Sequence, residues 1–231
     1  MSKEQILSKV RRALQVPAPV RHVPTPAPTT EKYARGLPMA RQEARAWLPP
    51  VGETWGDQLA LFTAQCADLR AEFFLCADEA EMHTQLARLA ADSGWTKIAA
   101  HPGRLTDAAV SALDLPALWT RPGYDLAALE LCDAALTECD ALVAQTGSVL
   151  VTCRSAGGRT LSALAPHHVV LARKSQLVPD LTAALALLSE TYGGDYPSLV
   201  SFITGPSRTG DIERILVLGA HGPKRLTIFC V

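Results

Sequence analysis

From Trp55 to Thr120 the chain alternates amphipathic stretches with short apolar runs, and this alternation constrains its fold more than any other feature. The spacing predicts a helix near Trp55–Leu69 and a strand over Glu72–Cys76. A helix near Asp78–Asp92 then leads to a strand over Lys97–His101. A helix over Asp107–Leu113 leads to a short strand over Pro116–Thr120. Apolar positions repeat every three to four residues in the helices, and strands separated by helices cannot pair as hairpins. Such a chain builds a mostly parallel sheet covered on both faces. Beyond residue 140 the rhythm changes. Ala141–Thr152 reads as two apolar strands around Thr146-Gly147, and His168–Ala172 as another. Pro179–Ser189 reads as a helix with proline in its first turn, and Leu199–Thr204 and Leu226–Val231 as the remaining strands. The expected architecture is one α/β domain, a three-layer sheet with helices on both faces.

Residues 1–50 read differently. Ile6, Leu7, Val10 and Leu14 share one helical face, and prolines at 17, 19, 24, 26 and 28 follow, which neither a helix nor a central strand accepts. A second helix around Lys32–Trp47 stops at Leu48-Pro49-Pro50. The expected organisation is a helical arm with a Pro-rich tether over 1–50 and an α/β domain over 51–231. Charge divides at nearly the same place: residues 1–45 hold nine Lys/Arg against three Asp/Glu, while the rest is acidic and the whole chain carries −1. A basic arm can bind nucleic acid, but Tyr33 is the single aromatic in residues 1–45 and offers little stacking surface. The arm is therefore expected to lie on its own body or on a partner's acidic face, with no nucleic acid bound.

Apolar runs all break well before the ~18 residues of a membrane span, and the amphipathic N-terminus lacks the apolar core of a secretory signal. A cytoplasmic protein with no membrane span is expected. Six cysteines, at 66, 76, 132, 139, 153 and 230, form no C-x-x-C pair. They read as reduced structural thiols. No cofactor and no metal site is expected, and an iron–sulfur cluster of the chain's own is not foreseen.

The polar residues that could carry chemistry gather in the second half. Gln145-Thr146-Gly147-Ser148 sits between two strands, where it is either a backbone cradle for a ligand or a tight turn whose hydroxyls bond locally. Arg159, beside Gly157-Gly158, could clamp an anion bidentately or simply sit on a surface loop. His167 and His168 open a strand, so they point to opposite faces; His167, nearer the loop, is the expected site residue. Gly205-Pro-Ser-Arg-Thr209 follows a strand, and Ser207 and Thr209 could cap a helical turn beside Arg208, making an anion pocket. Asp211 and Glu213 would oppose an anion if both faced it, so at least one is expected to hold Arg208 or Arg214. The alternative is a helix cap with a surface ion pair. His221, between Gly219 and Gly222-Pro223, is an acid–base group or a turn donor. The expectation tying these together is that the turns near 146, 207 and 221 converge on one cleft that receives negative charge. No G-x-G-x-x-G, P-loop, H-E-x-x-H or G-x-S-x-G pattern occurs, which removes support for dinucleotide oxidoreductase, NTPase, zincin and α/β-hydrolase readings.

Taken together, Gln145–Ser148, Pro166-His-His168, Gln176-Leu-Val-Pro-Asp180, Gly205–Glu213 and Gly219-Ala-His-Gly-Pro223 resemble the LutC/YkgG family of lactate utilization proteins, built on the LUD domain. The match is strongest from Ala141 to the C-terminus. The resemblance implies a NagB/RpiA/CoA-transferase-like α/β fold and a part in oxidising L-lactate to pyruvate with iron–sulfur partner subunits. Gly210 departs from the small non-glycine residue expected there. Two functions follow. One is a component of a lactate utilization system that binds a small anionic ligand, docks partners, or both. The other is a stand-alone enzyme on a phosphorylated or CoA-linked substrate, an argument by fold analogy. That enzyme would use Glu213 or His221 as acid–base and Arg208 with the Thr146–Ser148 turn as its anion cradle. Whether the chain catalyses anything alone stays open.

Overall fold

Apolar runs too short to form a buried helix become strands when both of their faces are covered, and this governs the body Leu48–Val231. The computed structural model describes residues 48–120, 125–209, 217–219 and 221–231, together with Glu4. The remainder of the arm expected over 1–50, up to Trp47, lies outside the described residues.

Six strands form a parallel sheet in the order β1-β12-β7-β4-β2-β3. They are β1 (Glu72–Leu75), β2 (Ile98–Ala100), β3 (Ala117–Trp119), β4 (Ala134–Glu138), β7 (His167–Ala172) and β12 (Arg225–Cys230). Helices α2 (Glu79–Ser93) and α3 (Arg104–Leu113) cover one face: Met82, Leu86, Leu105 and Ala109 pack with Leu136, Val169, Leu171 and Phe229. On the other face, Phe62 and Cys66 of α1 (Trp55–Asp68) meet Val170, Ala172, Ile228 and Cys230. The short α4 (Leu126–Glu130) and α5 (Leu161–Leu164) cover Ala99 and Ala135 on that side through Leu129 and Leu161.

The strands after residue 140 do not all join this sheet. β5 (Ala141–Val143) and β6 (Ser148–Thr152) pair as an antiparallel hairpin, β8 (Leu177–Val178) lies parallel to β5, and β9 (Val200–Ile203) lies antiparallel to β6. This four-stranded sheet stacks on the first through Leu142, Val149 and Val151. Its other face takes Ala184 and Leu188 of α6 (Leu181–Tyr192) against Ala141, Val143 and Leu150. Hence the unbroken apolar character of these strands: each face has a cover.

Three local expectations also change. β4, central in the first sheet, was not expected, because Ala-Ala-Leu-Thr-Glu is poor in the β-branched and aromatic residues that mark strands. Pro179 lies ahead of α6 and not in its first turn, since Asp180 is the N-cap, its carboxylate accepting from Ala183 N at 2.8 Å. α3 begins three residues earlier than its apolar pattern suggested. Its N-cap, Gly103, has no side chain to cap with, and the Glu138 carboxylate at the end of β4 substitutes. Glu138 Oε1 accepts from Leu105 N at 2.7 Å and Thr106 N at 3.4 Å, and a Cβ on Gly103 would stand 2.4 Å from that oxygen. A negative group at a helix N-terminus satisfies free donors and the helix dipole together.

The β5–β6 turn is held as tightly. Gly147 has φ +62°, and a Cβ there would lie 2.7 Å from Gln65 Cβ and 3.1 Å from the Gln65 carbonyl carbon of α1. Both conformation and space demand glycine.

Two stability predictions follow from these contacts. Glu138→Ala should lower the unfolding free energy by about 1–2 kcal/mol in urea titration, and Glu138→Gln, which keeps an acceptor, by less. Gly147→Ala should cost more than about 1 kcal/mol by the same measurement, against the usual small gain from replacing glycine.

Candidate functional site

β7 and β12 run side by side, and the residues at their starts that face the second sheet are His168 and Leu226. Two loops close over them. The first is Thr204-Gly205-Pro206-Ser207 at the end of β9; the second is His221-Gly222-Pro223 ahead of β12. Ser162 and Ala163 of α5 complete a cleft of about 260 Å³. The cleft thus sits at the N-terminal ends of the parallel strands, opposite to the usual crevice of an open α/β sheet.

Backbone bonds hold the loops together. Ser207 N donates to Pro223 O at 2.9 Å, Gly219 N to Ser207 O at 2.9 Å, and Lys224 N to Pro166 O at 2.8 Å. Gly205, at φ +83°, brings its loop so close to α1 that a Cβ would stand 2.9 Å from Leu69 O. At Gly222 a Cβ would stand 3.2 Å from Ser207 Cβ. Glycine therefore allows the loops to approach both the helix and each other.

Of the residues singled out from sequence, Gly205, Ser207, His221 and Gly222 line this cleft. Thr146, Gly147 and Ser148 stand behind its wall. Ser148 Oγ donates to Thr146 Oγ1 at 2.8 Å and shares a 2.8 Å hydrogen bond with Thr204 Oγ1, so a chain of hydroxyls links the hairpin turn to the wall. Gly147 is spent on the contact with α1, which favours the turn reading over the ligand cradle. Arg208 is exposed, its Nη2 3.5 Å from Thr204 O, beside the cleft and not in its wall. Arg159 is also outside the wall and donates to Ser198 O at 3.0 Å. The expected helical turn after Ser207 is absent at Arg208–Thr209, which instead pair as β10 with Val217–Leu218, β11. Asp211, Glu213, Arg214 and Gly210 lie outside the described residues.

The histidine pair is reversed. His167 faces α2 and not the cleft: its ring meets Trp95 edge-on at 5.2 Å, and Nε2 bonds Thr227 Oγ1 at 2.8 Å. Thr227 in turn donates to Glu72 Oε2 at 2.7 Å. Burial of Glu72 works against its charge, but hydrogen bonds from Thr227 and Arg225 outweigh that and keep its carboxyl below the usual range. Burial, with a contribution from Arg225, pushes His167 down to about 4, so it is neutral at working pH. His168, in the cleft wall, is 1% exposed; burial and then its neighbour push it down to about 3. Its Nε2 bonds Thr137 Oγ1 at 2.9 Å, and its Nδ1 is buried with no partner.

Sequence reasoning missed His168, Thr204 and Ser162. Strand alternation says that two adjacent histidines diverge, but not which one meets the cleft. All six cysteines carry free thiols. Burial pushes Cys66 up to about 12 and Cys76 and Cys230 to about 11, as expected of inert core thiols. Among the described residues no group of three or more His, Cys, Asp or Glu could hold a metal ion, and no helix is long and apolar enough to cross a membrane.

Residues 126–231, which contain the whole cleft, match the family model of the LUD domain. The chain is 30% identical to lactate utilization protein C of Anoxybacillus flavithermus, over 78% of this chain and 83% of that protein. It is 30% identical to lactate utilization protein C of Geobacillus kaustophilus, over 80% and 82%. The crystal structure of a DUF162 family protein from Deinococcus radiodurans superposes with a TM-score of 0.59 at 20% identity, covering 78% of this chain and 99% of that one, and so shares the fold. The chain belongs to the LUD-domain family, together with the lactate utilization C proteins.

Proposed function

We propose that this protein serves lactate utilization as a non-redox component that binds a small anionic ligand in the cleft and docks partner subunits carrying iron–sulfur clusters. The observation that carries the reading is the cleft. Hydroxyls of Ser162, Thr204 and Ser207 and two imidazoles line it in a chain whose relatives bear the lactate utilization name. Its volume of about 260 Å³ suits a molecule of a few carbons, and its apolar wall residues, Ile203, Pro206, Pro223 and Leu226, suit a methyl group. Oxidising lactate releases two electrons that need an acceptor, and none of the six thiols sits in a C-x-x-C pair. Partner proteins with clusters would take those electrons, and the basic arm over residues 1–50 is the proposed docking element. The stand-alone enzyme acting on a phosphorylated substrate gains no specific support. No Lys or Arg is among the described residues lining the cleft to compensate a doubly charged group.

Deleting the gene should abolish growth on L-lactate as sole carbon source while leaving growth on pyruvate intact. Undiminished growth on lactate, in a genome with no second copy, would end this reading. Complementation with Ala163→Trp should restore growth poorly, because Ala163 lies at an exposed position of the cleft wall where an indole can block it without disturbing the core. In anaerobic affinity purification the full chain should retain proteins with iron–sulfur absorbance, and a chain lacking residues 1–50 should retain less.

A further inference from the structure

β1 (Glu72–Leu75) is an outer strand of the six-stranded sheet: β12 pairs with one side, and among the described residues no strand pairs with the other. Cys76, just past β1, gives its N–H to Cys230 O at 2.8 Å, which fixes the phase of the ladder. Glu72 and Phe74 therefore bond toward β12, while Phe73 and Leu75 aim their N–H and C=O groups outward. Such an edge is a template for another strand, and proteins that keep it free blunt it with lysine, proline or a bulge. Glu72-Phe-Phe-Leu75 contains no lysine or proline, and its one charge is drawn onto Arg225 of β12, 2.9 Å away. Phe74 and Leu75 are 37% and 43% exposed. The strand is four residues long, so main-chain bonds alone would hold a partner weakly. A groove of about 390 Å³ lies beside it, lined by Phe74 and by Gln85, Arg88, Leu89 and Asp92 of α2. These helix positions repeat every three to four residues, forming a stripe separate from the Met82, Leu86 and Ala90 stripe of the core.

We propose that this edge binds a second copy of the chain, β1 pairing antiparallel with its twin about a twofold axis at Phe74. Centred there, Phe73 lies opposite Leu75 of the copy, and Leu75 opposite its Phe73. These are the residues whose main chains face outward, so both pairs exchange N–H···O=C bonds. Phe74 meets its twin at the position between them, where side chains stand closest. Its ring is already stacked on Phe229 at 5.0 Å, which fixes its direction. Axes at Phe73 or Leu75 would instead call on Ala71 or Ala77. Those N–H groups are committed, to Cys66 O at 2.8 Å and Glu81 Oε2 at 2.7 Å. The Phe74 axis also turns α2 end for end. Its stripe carries an amide donor, Gln85, at one end and a carboxylate, Asp92, at the other, so each copy brings its donor toward the other's acceptor. This match of the surface to itself is what selects a second copy over an unrelated protein. None of these residues lines the cleft, so the inference is independent of the ligand reading.

Sedimentation velocity of the full chain over a range of concentrations tests this. A species of twice the 24.7 kDa chain mass should grow with concentration. Leu75→Pro removes one outward N–H and one exposed leucine from each copy while sparing the ladder to β12. It should raise the dimer dissociation constant at least about tenfold, the scale of two lost hydrogen bonds, with the circular dichroism of the wild type. Gln85→Glu, which sets a carboxylate opposite Asp92 of the copy, should also weaken the dimer. Adding Asp92→Lys to Gln85→Glu should restore it. Residues 85 and 92 stand two helical turns apart in one chain, so that rescue reports a contact between copies. A chain that stays monomeric at every concentration overturns the proposal, as does one that uses this edge only for a different protein. A dimer that withstands both Leu75→Pro and Gln85→Glu uses another surface and overturns it too. Should Leu75→Pro fail to fold, the Gln85→Glu and Asp92→Lys pair decides alone: no weakening, or no rescue, ends the proposal.

Discussion

Strand β7 depends on one constraint, that all six of its residues, His167 to Ala172, are buried between β12 and β4 with a covered face on either side. The strand is paired on both sides, so it cannot slip by one residue without exchanging its two faces. Val169 and Leu171 belong to the core under α2 and α3, and Val170 and Ala172 to the core shared with the second sheet. Burying Val169, Val170 and Leu171 is worth roughly 1.5–3 kcal/mol each, which fixes the register firmly. The same alternation sends His167 and His168 into different surroundings. One joins a charged network with Glu72 and Arg225, and the other enters a cleft wall.

Around that strand the candidate site is made mostly of backbone. The loops at 205–207 and 221–223 hold one another through the Ser207–Pro223 and Gly219–Ser207 bonds, and Gly205 and Gly222 permit the approach. The Thr146–Ser148–Thr204 hydroxyl chain ties the hairpin turn to the same wall. Backbone bonds of this kind hold the loops in place without help from side chains.

Much of the first half could be read from sequence because its strands and helices are separated by clear changes of period. The structure adds caps at Thr54 before α1, Asp78 before α2 and Gly94 after it. β4 could not be read, because its alanines favour a helix in isolation and only its place between β2 and β7 makes it a strand. Nor could the start of α3, because its cap is Glu138, more than thirty residues away. The division into two sheets was hidden for a related reason. A strand buried on both faces has the same apolar signature whichever sheet it joins. At the site, the loops bearing Ser207 and His221 were recognisable from their glycines, prolines and hydroxyls. Ser162, Thr204 and the choice of His168 were not, since each depends on what lies opposite.

By itself the sequence determined the alternation of elements, the glycine-bearing loops and the family, because these rest on local spacing and on motifs that survive in order along the chain. Tertiary structure alone decided which sheet each late strand joined and which histidine met the cleft. The physical reason is that a face or a cap is set by the partner across the contact, and those partners, Thr137 for His168 and Glu138 for α3, are more than thirty residues distant in the chain.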